Sequence, residues 1–148
     1  MQAPRTTAQF FALLLGAILL AFGVVALVVG HTDFGTGDRL GGDQFILWMA
    51  NGWDTIVWIV AGALGIAAAA RAESAWTYAI VAAAFFAVVA VWGFIDGNDV
   101  FGLMAVDTTD NIAHAVIAGL GLAAAMAPDS VRRSRESAGY RRGHPTHA

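Results

Sequence analysis

Cysteine is absent from all 148 residues, so disulfides, thiolate metal sites and thiol catalysis are excluded. Charge is scarce as well. Charged residues make up 13% of the chain and apolar ones 58%, against roughly 25% and 45–50% in globular proteins. That leaves too little polar material to cover a soluble domain of this size, and a mean hydropathy of +0.66 points the same way. Signatures of catalysis are missing too. There is no Gly-x-Ser-x-Gly elbow, no Walker or Rossmann glycine pattern between a strand and a helix, and no long polar portion to hold a substrate. These absences lean away from an enzyme; no catalytic residue and no cofactor is expected.

What is present is a set of long apolar runs. Residues 1–9 form a short polar leader, and residues 10–30 are then apolar without a break, enough to cross ~30 Å of hydrocarbon as a helix. This run exceeds the usual roughly 7–15 apolar residues of a secretory signal and ends in no clean cleavage site, so it is read as a retained span. Gly16, Gly23 and Gly30 recur every seven residues, where small side chains let a neighbouring helix approach. Residues 31–44 read as a loop rich in glycine and aspartate. Residues 45–50 read as an interfacial piece, with Trp48 and Trp53 at headgroup level. Further spans are expected at about 52–70, 75–95 and 108–127, with a tight turn at 71–74 and a second polar loop at 96–106. Residues 128–148 are basic, with nothing to build a core, and read as a mobile cytoplasmic tail.

The chain also repeats itself. Residues 51–66 and 107–122 align at a spacing of 56, with Asp54 on Asp110, Ile56 on Ile112, Val60 on Val116, Leu64 on Leu120 and Gly65 on Gly121. Extended backwards, Phe45 meets Phe101 and Leu47 meets Leu103. Asn51 and Asp107 have the character of helix N-caps, with an acidic residue three positions on to complement the helix dipole. The expected fold is all-α: a four-transmembrane-helix bundle built from two parallel helical-hairpin repeats.

Arginine placement sets the orientation, because basic residues stay on the cytoplasmic side. Four spans put seven of the eight arginines on one face, leaving Arg39 alone on the other, while the aspartates gather in the two long loops. Both termini are then cytoplasmic, in a bacterial plasma membrane. An even number of helices per repeat makes the repeat parallel, with its axis along the membrane normal. The tail arginines Arg132, Arg133, Arg135, Arg141 and Arg142 suit anionic lipid headgroups, at about 1 kcal/mol each near the surface, better than nucleic acid.

The Asp-Asn-x-x-His segment (Asp110, Asn111, His114), leading into a glycine-rich apolar helix and preceded by an equivalent copy, resembles the bacterial four-helix membrane family known as domain-of-unknown-function 4383. The resemblance covers residues 5–127 and omits the basic tail. In that family the earlier copy also tends to carry a histidine; here Trp58 stands at the position matching His114, which counts against a paired-histidine site. The resemblance implies the architecture and brings no activity with it.

Candidate chemistry gathers at the starts of the second and fourth spans: Asp54, Asp110, Asn111 and His114. His114 falls about six residues, or roughly 9 Å, into its helix, a depth at which ionisable groups default to a functional hypothesis. Asp110 precedes it by four residues, so a carboxylate–imidazole contact is sterically available. The functional reading is a proton-relay or ligand-contact pair. The plainer reading is a polar clasp between helices, since polar contacts inside membranes are commonly modest structural ties. A metal site from His31, Asp33, Asp54, Asp110 and His114 lacks the His-x-x-x-His or Glu-x-x-His spacing that preforms one, so no metal is expected. His144 and His147 in the tail read as solvated. Two roles follow: a structural or accessory membrane protein locked by its polar helix starts, or a small carrier or redox accessory using the outer-facing Asp/His cluster for a proton or small ligand.

Overall fold

The computed structural model describes residues 5–97 and 99–143, and side chains as far as residue 136. The fold is predominantly helical. Helix α1 (Thr7–Val29) is followed by a 3-10 turn (Gly37–Arg39) and a hairpin of β1 (Asp43–Phe45) and β2 (Trp48–Ala50). Helices α2 (Gly52–Ala68) and α3 (Ala72–Asp96) come next, then a second hairpin of β3 (Asp99–Val100) and β4 (Met104–Ala105), then α4 (Thr108–Met126) and α5 (Pro128–Gly143). Three of these, α1, α3 and α4, are long and apolar enough to cross a membrane. Helix α2 is apolar but has 17 residues.

Caps fix the helix ends. Thr6 and Gln9 form a capping box at the start of α1, each side chain accepting the other residue's backbone N–H. The helix therefore begins at Thr7, three residues ahead of the apolar run. Gly30 ends it in the left-handed conformation at φ 97°, so this glycine is a terminator and not part of a packing stripe. The other two do pack. A Cβ on Gly16 would lie 2.7 Å from the Ile66 nitrogen, and one on Gly23 would lie 2.8 Å from that of Ile59. On α2, a Cβ at Gly62 would run into the Leu20 nitrogen. The α1 and α2 backbones thus touch, antiparallel, inside one bundle. Helices α3 and α4 pair the same way, Gly121 against Ala79 and Gly93 against Asn111.

Two differences from the sequence reading concern regions expected to be irregular. Residues 43–50 and 99–105 form antiparallel hairpins, pairing Asp43 with Ala50, Phe45 with Trp48, Asp99 with Ala105 and Val100 with Met104. Their turns carry Ile46 and Phe101 at φ 58°, a conformation neither side chain favours, so no turn signature announced them. The tail, read as mobile, is helical from Pro128 to Gly143. Pro128 does close α4, but it also opens α5, the position where its missing N–H costs nothing. The first residues of α5 then dock on α1. Asp129 accepts from the Thr7 backbone N–H at 2.7 Å and from its hydroxyl at 3.1 Å, and the Ser130 hydroxyl accepts from Ala8 N at 2.9 Å. His144 and His147 lie outside the described residues.

Candidate functional site

The starts of α2 and α4 are built alike. The Asn51 Oδ1 accepts from the backbone N–H of Trp53 (2.9 Å) and Asp54 (3.1 Å), and Asp54 returns the bond by accepting from Asn51 N at 3.0 Å. At α4, Asp107 accepts from Asp110 N at 2.9 Å, and Asp110 Oδ2 accepts from Asp107 N at 3.1 Å. Each box satisfies orphan donors of a first turn that would otherwise be buried without partners.

The two starts also grip each other's hairpins. Met49 N in β2 donates to Asp110 Oδ2 at 3.1 Å, and the backbone amide of Ala105 in β4 faces Asp54 in the matching place. Asn51 Nδ2 donates onward to the carbonyl of Leu103 at 2.8 Å and that of Gly41 at 3.2 Å. Asn51, Asp54, Asp110 and Asn111 are all at least 95% buried. Asp54 and Asp110 therefore lie at one end of the bundle, within electrostatic reach of each other. The opposite end carries the α2–α3 turn, α5 and the Gln9 side chain, which donates to Ala69 O.

His114 is placed differently from the capping residues. It is 7% exposed, its ring stacks on Phe86 (centroids 5.4 Å apart, planes at 28°), and its Nδ1 is enclosed without a hydrogen-bond partner. The expected bond from Asp110 is not made: both hydrogen bonds of that carboxylate fall on Oδ2 and come from backbone amides. The Asn111 Oδ1 is likewise enclosed and unpartnered, pressed against Gly93. Burying a polar atom without a partner costs roughly 1–3 kcal/mol, so these two side chains are held at a loss to stability.

A cleft of about 230 Å³ explains where His114 faces. It runs between α1 and α4 and is lined by His114, Asp110, Trp48, Trp58, Phe22 and Phe86 at its polar end. Below them the walls are wholly apolar, ending near Phe11 and Leu120. Trp48 belongs to β2 and packs on Phe22 at 5.4 Å, so the first hairpin covers this end of the cleft. The Trp48 Nε1 is enclosed and also lacks a partner. Of the four candidate residues, Asp110 and His114 line the cleft, whereas Asp54 and Asn111 do not. Trp48 and Phe86 are wall residues that sequence reasoning missed; the hairpin that swings Trp48 inward carried no turn signal. The five side chains weighed as metal ligands do not gather: among the described residues no three of His, Asp and Glu come together to hold an ion.

No curated protein and no solved structure matches the chain. The family described as Domain of unknown function (DUF4383) matches residues 9–127, which takes in both capped helix starts and the cleft, and the chain belongs to that family.

Proposed function

We propose that the protein spans a bacterial plasma membrane four times, as two duplicated hairpins threaded from a cytoplasmic face that holds both termini. In support, Met49 and Ala105, the two amides that reach across, are themselves 56 residues apart. The exchange is what a twofold relation between the halves requires. Open-edged two-stranded hairpins are not tolerated in hydrocarbon, so both belong at the same aqueous surface. That leaves α2 between surfaces, its 17 residues spanning about 25 Å, at the short end of what a membrane helix needs. Arg132, Arg133 and Arg135 of α5 lie at the other surface, beside anionic headgroups.

Within this frame the protein is a ligand-binding accessory or carrier, and His114 holds the ligand with Asp110 beside it. One observation carries this reading: a buried histidine, unpartnered, lining a cleft. The polar contacts that a clasp would use are made by Asn51 and Asp110 instead, with Asp110 shared between those contacts and the cleft. A proton relay is less favoured, since no hydrogen bond joins Asp110 to His114.

Thermal unfolding of His114→Leu in detergent separates the two roles. A clasp histidine would take stability with it when removed. A ligand histidine leaves an apolar replacement in a site that was costing about 1–3 kcal/mol in lost solvation. The expected result is an unchanged or higher Tm in the ligand-free protein. A fall of more than about 4 °C, the shift that roughly 1 kcal/mol gives a domain of this size, would return His114 to a structural role.

A further inference from the structure

Resting on the ligand-binding reading, we infer that the cleft receives its ligand sideways from the bilayer, and that the ligand is an amphiphile with a flat, uncharged, hydrogen-bonding head and one hydrocarbon tail: the chemistry of a membrane quinone.

The cleft is amphiphilic along its length. Asp110 and His114 are its only ionisable lining residues, and both sit at the end covered by the first hairpin. From Asp110 to Leu120 the α4 wall runs about 15 Å at 1.5 Å per residue, with no polar side chain after His114. A tail fits there and a second polar group does not.

The route follows from what is covered. Above, Trp48 packs on Phe22 and the Met49 N–H is tied to Asp110, so the first hairpin roofs the polar end against water. Laterally, Leu14 (51% exposed), Ile18 (42%) and Leu120 (57%) leave the α1–α4 seam open. In a bilayer that opening faces lipid.

The head is specified by the groups left wanting. Trp48 Nε1 can only donate and is enclosed as well, so a head that reached it on a small shift of the ring would have to offer an acceptor such as a carbonyl. With Nδ1 enclosed, Nε2 is the His114 nitrogen left for a ligand, and it can donate or accept according to tautomer. An anionic head would meet the Asp110 carboxylate. A cation would have only Oδ1 of that carboxylate to meet, because its Oδ2 already takes two backbone N–H bonds. Phe86 and His114, already stacked, with Trp58 and Phe22 beside them, offer flat faces to a ring. The inference covers binding alone.

The test uses the full chain in nanodiscs of neutral phosphatidylcholine, titrated with a para-benzoquinone bearing a decyl tail. Tryptophan quenching and the ligand-induced rise in Tm are both read, the latter because a ligand bound to the folded state stabilises it by mass action. Saturable binding is expected, at least tenfold weaker in His114→Leu and about threefold or more weaker in Trp48→Phe. The tailless benzoquinone is expected to bind at least tenfold more weakly than the decyl compound, and decanoate not to compete. Equal quenching in wild type and His114→Leu means partition into lipid and overturns the inference. So does competition by decanoate, which would make the tail the only feature recognised. Tailless quinone binding as tightly as the tailed form overturns the lipid route. None of these outcomes touches the ligand-free Tm of His114→Leu, which tests the underlying reading by itself.

Discussion

The starts of α2 and α4 are near copies in sequence and in backbone, yet one ends in a packed core and the other in a cleft. Both have an N-cap, a buried aspartate at the third helical position and a strand of the other hairpin facing that aspartate. Four residues further along the two part. Trp58 in α2 fills its surroundings, packing on Phe45 at 5.5 Å and Phe22 at 6.3 Å. His114 in α4 is smaller, stacks on one ring and lines the cleft, with its Nδ1 enclosed and unbonded. The frame is common to both halves; the difference is one side chain. Capping and cross-bracing therefore belong to stability at both starts, whereas the cleft forms once, beside His114, with α1, Trp48 and Trp58 supplying its other walls.

The first way to break this comparison is to strike the frame where it is tightest. Gly62 sits so close to α1 that a Cβ would stand 2.8 Å from the Gly16 carbonyl oxygen, with backbone on both sides. Gly62→Val is expected to force α1 and α2 apart and cost more than about 3 kcal/mol, well beyond the typical overpacking range of 1–3. Gly119→Ala in α4, where nothing lies within 4 Å, is expected to change Tm by less than a degree or two. Comparable losses from both would mean that α4 is as tightly packed as α2. Next comes Trp58→His, which writes the second half's residue into the first. It removes a large buried aromatic and is expected to cost about 2–4 kcal/mol, measured by thermal unfolding, without opening a second quinone-binding site. A variant that folds normally and doubles the binding stoichiometry would show the halves to be interchangeable.

The caps sharpen the comparison at a smaller scale. Asn51 satisfies two first-turn amides and two distant carbonyls while almost wholly buried, so Asn51→Ala is expected to cost about 2–3 kcal/mol. Asp107 makes one cap bond and is half-exposed, and Asp107→Ala is expected to cost about 1 kcal/mol. Equal losses, measured in detergent by the same unfolding assay, would undo the claim that the first start carries the cross-brace.

How much of this was legible in the sequence varies with the physics. The helices were readable because apolar runs of this length leave little choice, and the boundaries fell within a few residues. Thr6 and Gln9 were a readable capping box that moves α1's start forward, outside the apolar pattern that drew attention. Asp54 and Asp110 were visible as paired cap positions, but not as acceptors for each other's hairpins. That exchange depends on strands of two or three residues turning through Ile46 and Phe101, which carry no turn preference. The spacing of 56 also misled at one point. It equates Phe45 with Phe101, yet Phe45 is 4% exposed in the core and Phe101 is 55% exposed against Trp92. The hairpin loops differ by one residue, two between Phe45 and Trp48 and three between Val100 and Met104, so side chains at matching numbers face differently. His114 stood out in the sequence as a costly residue at that depth. That the cost is unrelieved by Asp110 could be seen only once that carboxylate was found occupied by backbone amides.

The smallest expected effect compares the two helix starts at the opposite end of the bundle. Helix α3 begins at Arg71 with no side-chain cap, whereas α1 begins with Thr6 and is further held by Asp129 and Ser130 of α5. The Thr7 backbone N–H holds the Asp129 carboxyl below its ordinary value of 3.8. A carboxyl lowered by folding stabilises the protein where it is ionised in both states, and that contribution disappears as pH falls through the folded value. Asp129 is solvent-accessible, so the tie is worth less than about 1 kcal/mol after screening. Asp129→Asn is therefore expected to lower Tm by a few degrees at most at pH 7, with the gap to wild type holding down to about pH 5 and closing below 3.8. A gap that persists once the carboxyl is protonated in both the folded and unfolded states would mean that Asp129 holds α1 through hydrogen-bond geometry that asparagine lacks, and not through its charge.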